Sequence, residues 1–173
     1  MDTDADGDED WETEGFVAPA TVAEARAAYR SVDPVARTVV RETAWAMDFD
    51  RAEYDERVTD GVIETARDAL FASLLAVRIG SHEAYEAWRE DYDGEVHEAG
   101  SEQVDRVVWH APPFADEAVA ATFASEREAA VGTLRRQAFG RLYRDVLSDA
   151  GGGTAASRDD TPPADDRPDG GSR

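Results

Sequence analysis

Three histidines and a cluster of arginines are the residues in this chain whose types suit chemistry. His82 follows Ser81 at a helix start, where it reads as exposed. His97 and His110 fall on two stretches of strand character, Glu95 to Ala99 and Gln103 to His110, joined around Gly100-Ser101 as a hairpin. In the simplest register His97 faces Val104, which leaves His110 about 20 Å away at roughly 3.3 Å per residue. No His-x-His or His-Glu-x-x-His spacing occurs, so no metal site is expected. Trp109-His110 ends a strand before Pro112-Pro113, a place where an imidazole can serve as acid, base or anion donor. The plainer reading is a histidine hydrogen-bonded at a turn.

Arg135, Arg136, Arg141 and Arg144 lie within ten residues of a strongly acidic chain. On a helical wheel Arg136, Gly140, Tyr143 and Arg144 fall close together. Gly140 would leave a notch there, with arginines beside it and a phenol as wall. Guanidinium forks suit carboxylate and phosphate. The plainer reading is a helix C-terminus neutralised by cations. Candidate ligand-binding residues are therefore Arg106, Trp109, His110, Arg136, Tyr143 and Arg144. None is assigned as catalytic, and no metal or cofactor is expected. No glycine-rich phosphate loop and no Gly-x-Ser-x-Gly motif is present.

The elements that must position these residues read as mainly helical. Thr21 with Glu24 makes a capping box for a helix to Arg30. Asp33 with Pro34 opens another to about Met47. Asp50 with Glu53 starts a short helix to Arg57, and Thr59 or Asp60 starts one ending at Gly80. Ser81 opens a helix to Tyr92 whose Tyr85, Trp88 and Tyr92 make an aromatic core stripe. From Asp116 to Leu147 the apolar spacing, with Val119, Phe123, Leu134 and Leu142 on one face, predicts one long central helix. A second stripe of small residues runs from Ala118 through Gly132 to Gly140. The expected fold is α+β but predominantly helical: five or six helices around the long C-terminal one, with a β-hairpin before it.

Composition bounds the rest. The chain has 173 residues, with 39 Asp and Glu against 18 basic residues, every one arginine, for a formal charge of −21. Such a surface opposes nucleic-acid backbone and anionic membranes. It suits solubility in molar salt, where the Debye length is about 3 Å. Cysteine is absent, which excludes disulfides and thiolate sites. The acidic N-terminus is no signal peptide, so a cytoplasmic protein is expected. Residues 1–14 read as a disordered acidic tail, 15–149 as one globular domain, and 150–173 as a disordered tail rich in Gly, Pro and Asp.

The stretches VDRVVWHAPPFADEAVAATF and EREAAVGTLRRQAFGRLYRDVL, with RETAWAMDFDRAEYDERVT and ARDALFASLL before them, resemble a small family of uncharacterised acidic proteins from halophilic archaea. The resemblance covers residues 15 to 148. It implies a habitat and domain limits, and assigns no catalytic residue. The expected function is a non-catalytic interaction or regulatory module, associating with a protein or with a second copy of the chain. The alternative is a protein, or small enzyme, that binds a small anion or phosphate through His110 and the Arg136/Arg144 notch.

Overall fold

The structure, a computed structural model, describes residues 10–151, the last three without side chains. The chain runs β1 (Trp11–Glu14), α1 (Val22–Ala46), α2 (Arg51–Arg57), α3 (Asp60–Ser73), β2 (Val77–Ser81), α4 (His82–Glu90), β3 (Glu95–Ala99), β4 (Arg106–His110), β5 (Glu117–Phe123) and α5 (Arg127–Ala138). A π-helical segment, Phe139–Tyr143, then leads into α6 (Arg144–Gly151). The caps form where short polar side chains precede helical runs. Thr21 accepts the Glu24 amide at 3.1 Å, Asp50 the Glu53 amide at 2.8 Å, Thr59 the Val62 amide at 3.3 Å and Ser81 the Ala84 amide at 3.1 Å.

The predominantly helical fold with a hairpin is overturned by a five-stranded sheet in the order β1-β2-β4-β5-β3. The fold is α+β with a mixed sheet. Three pairings are antiparallel, and β3 lies parallel to β5 at the edge. The stretch 95–110 is no hairpin, because β5 sits between its two strands. The expected helix from Asp116 begins instead as β5. Its Ala118, Ala120 and Thr122 alternate with Val119, Ala121 and Phe123, so period 2 was present beneath an alanine-rich composition that favours helix. Pairing on both sides outweighs that propensity.

Three further boundaries move. The helix expected to reach Gly80 stops at Ser73, and Val77–Ser81 becomes β2. The two helices expected before Met47 are one, with Pro34 inside it; Asp33 does not cap but binds Arg37 at 2.8 Å and Arg67 at 3.0 Å. The far half of that helix leaves Val35, Val39 and Trp45 exposed. Trp11–Glu14, expected in the acidic tail, forms β1; residues 1–9 and 152–173 of the two tails lie outside the described residues.

The sheet has two unlike faces. Val77, Ile79, Val108, Val119 and Phe123 meet Phe71, Leu75, Leu134 and Tyr143 in the larger core, beneath α1, α3, α5 and α6. On the other face Val107, Trp109 and Ala120 pack against α4 through Tyr85 and Trp88, with Trp11 at the rim. Thus Tyr85 and Trp88 of the aromatic stripe are core. The small residues 118 and 121 belong to a strand, so no helical stripe joins them to Gly132 and Gly140. Gly15 leaves β1 with φ +91°; a Cβ there would lie 2.6 Å from the Leu75 carbonyl oxygen and 2.8 Å from the Arg135 guanidinium. Arg135 uses that space to donate to Leu75 O at 2.9 Å and Glu14 O at 3.2 Å, tying the C-terminal helix to the sheet. Among the described residues no helix is long and apolar enough to cross a membrane.

Candidate functional site

His110 ends β4 and is 1% exposed. Its Nδ1 donates to the Ala76 carbonyl at 2.5 Å, so its Nε2 is bare and accepts the Tyr143 hydroxyl at 2.7 Å. Burial pushes the imidazole down to about 4, and the charges of Arg78 and Arg135 add to the effect against the Ala76 hydrogen bond. Burial also pushes the Tyr143 phenol up. The pair is a neutral hydrogen-bonded unit inside the core, with both ring nitrogens used. Trp109 points to the opposite face, fully buried between Trp11, Tyr85 and Trp88. Arg106 lies over the Phe123 ring, 5.6 Å from its centre. His110 and Tyr143 are thus brought together, away from solvent; Trp109 and Arg106 join neither each other nor this pair.

Arg136 and Arg144 do share a cleft, but not the one expected. With Arg135 they line a hollow of about 480 Å³ between α3 and the C-terminal helix, walled by Ala69, Ala72, Ser73 and Gly132. Arg144 is held over the Phe139 ring at 5.8 Å, and Arg136 donates to Thr133 at 3.3 Å. A second hollow of about 530 Å³ continues past Thr65, Asp68 and Arg144 to Arg67 and Ser148. Among the described residues neither Arg136 nor Arg144 has a carboxylate within 4.0 Å. The expected notch fails because Phe139–Tyr143 is π-helical. Its wider turns displace side chains from an ideal α wheel, and Tyr143 turns inward while Gly140 opens on the other side of the helix.

That other side holds residues the sequence reading passed over. A Cβ added to Gly140 would meet nothing within 4 Å. The space is a hollow of about 470 Å³ lined by His97, Val119, Gln137, Gly140 and Arg141. His97 Nε2 lies 3.2 Å from Glu117 Oε1, and Arg141 Nη1 lies 3.2 Å from His97 Nδ1. A guanidinium only donates, so Nδ1 accepts and the ring proton on Nε2 goes to Glu117. Glu95 is the direct cross-strand partner of Glu117, and the ligand atoms of Glu95, His97 and Glu117 all lie within 4.8 Å of one another. Glu95-x-His97 was visible as a same-face pair on a strand; Glu117 joins only through the β3–β5 pairing, which a helix there had hidden. Far from being about 20 Å apart on a hairpin, His97 and His110 are both register partners of Val119.

A family of unknown function, DUF5809, matches residues 16–144. The chain belongs to this family. The span that matches DUF5809 runs from before α1 through the π-helical segment, holds the lining of the 480 Å³ and 470 Å³ hollows, and leaves out β1. It includes Glu95, His97, Glu117, Arg136, Arg141 and Arg144. No curated protein and no solved structure matches the chain.

Proposed function

We propose that this member of the DUF5809 family is a non-catalytic binding module from the cytoplasm of a salt-loving archaeon, and that its ligand is a small phosphate or carboxylate anion held between Arg136 and Arg144. One observation carries the reading. In a chain with 39 acids and 18 arginines, these two guanidiniums line one cleft and pair with no carboxylate among the described residues. Small side chains on α3 and Gly132 keep the cleft open. Phe139 orients Arg144 so that its fork can meet an anion in two-point contact, which depends on geometry as well as net charge. His110, the imidazole nearest this cleft in the sequence, is sealed in the core with both nitrogens engaged, which favours binding over turnover.

The salt-loving habitat rests on the formal charge of −21, whose self-repulsion is screened in molar salt. An anion is repelled at long range by such a protein, so recognition works at contact distance. Calorimetric titration with pyrophosphate and with citrate in 2 M KCl tests the reading. Arg136→Ala and Arg144→Ala are each expected to weaken binding by roughly 1–3 kcal/mol while melting as the wild type does. Melts in 10 mM and 2 M KCl accompany the titration, and the higher midpoint is expected in 2 M. Absent binding, or binding that the double variant keeps, removes the anion site. Equal midpoints remove the habitat.

A further inference from the structure

The edge of the sheet carries an unbalanced arrangement. Glu95 and Glu117 stand directly opposite each other on β3 and β5, on the face that also bears His97. Like charges directly opposite on neighbouring strands destabilise the pairing. No arginine lies within 4.0 Å of either carboxylate among the described residues. The guanidinium of Arg141, itself only a donor, meets His97 Nδ1 on the side away from the carboxylates. Glu98, on the opposite face of β3, shows what balance looks like: it binds Arg89 and the Tyr85 hydroxyl.

We propose that Glu95, His97 and Glu117 form a site for a divalent first-row transition ion of the zinc class, entered when Arg141 swings away from His97. The geometry is close to that of a bound ion. Two ligand atoms at zinc distances in a tetrahedral shell lie about 3.3 Å apart; His97 Nε2 and Glu117 Oε1 are 3.2 Å apart. The third ligand, Glu95, is an exposed side chain on the edge strand and is free to close on the ion. One imidazole among two carboxylates selects a borderline ion over calcium or magnesium, which prefer oxygen alone. Three protein ligands leave a fourth position for water or another ligand.

Arg141 is the built-in competitor. To bind an ion, Nε2 must give up its proton, and the neutral ring then carries it on Nδ1. Nδ1–H and the guanidinium are both donors, so they cannot keep their contact. The charge of Arg141 also opposes the cation directly. Exposure of the Arg141 side chain lets it leave.

The test is a Co²⁺ titration of the full chain in 1 M potassium nitrate, followed by visible absorption, with Zn²⁺ as displacer. Molar salt screens loose cation binding to acidic surface. The wild type is expected to saturate at one Co²⁺ with bands more intense than those of the aqueous ion. His97→Ala and Glu95→Gln should each bind more than about tenfold more weakly. Arg141→Gln should bind at least about threefold more tightly. Far-UV dichroism is read first for each variant, and exposed Glu95 carries the comparison if His97→Ala unfolds. An aqueous-ion spectrum with wild type, undiminished binding in His97→Ala or Glu95→Gln, or no gain in Arg141→Gln overturns the proposal.

Discussion

His110 and His97 are both partners of Val119, one on each side of β5. They share a row and a face of the sheet, and the same helix covers both. His110 is on β4, with strands on either side, and Tyr143 roofs it. His97 is on the edge strand, where the roof is Gly140 and Arg141. Three residues of one π-helical segment therefore decide whether an imidazole is sealed or addressable. Position in the sheet and the size of one covering residue separate a structural histidine from a ligand; residue type does not.

Removing each ring breaks the comparison most directly. His110→Ala leaves the Ala76 carbonyl and Tyr143 hydroxyl unpaired beside a void in the core. A loss of about 3–5 kcal/mol is expected in urea unfolding. His97→Ala removes a partly exposed contact with Glu117, and about 1 kcal/mol or less should be lost without metal. Similar losses for the two variants would mean that His97 is as much a core residue as His110.

A smaller effect should follow pH. The native His110 pKa is depressed to about 4, below the ordinary histidine value of about 6.5 in the unfolded chain. Between these values the unfolded state takes up a proton that the native state refuses. The contribution is therefore full above about 6.5 and is lost as pH falls towards 4, up to about 3 kcal/mol in all. Urea midpoints between pH 7 and 4.5 should fall more steeply for wild type than for His110→Gln. Parallel profiles would show that His110 is not held neutral by burial.

Local signals in the sequence were legible where one residue acts on its neighbours. The caps at Thr21, Asp50, Thr59 and Ser81, the strand before Pro112 and the packing of Tyr85 and Trp88 all follow from such rules. What was hidden depends on partners distant in sequence. An alanine-rich β5 reads as helix until β3 and β4 flank it, and β1 reads as acidic tail until Trp11 meets Trp109. Of the candidate site, Arg136 and Arg144 were visible by spacing and do share a cleft. Gly140 was visible as an opening, but an ideal wheel assigned it the wrong neighbours. His97 and Glu117 are 20 residues apart and meet only through the β3–β5 pairing, which the helical periodicity of the second stretch conceals.

Nitrogen-15 spectra of the two imidazoles read the central difference without any substitution. His110 is expected as the Nδ1–H tautomer, neutral down to about pH 5, and His97 as the opposite Nε2–H tautomer. One equivalent of Zn²⁺ should move the His97 nitrogens and leave those of His110 in place. An Nε2–H His110, a His110 already protonated at pH 6, or Zn²⁺ shifts at His110 rather than His97 would contradict the account.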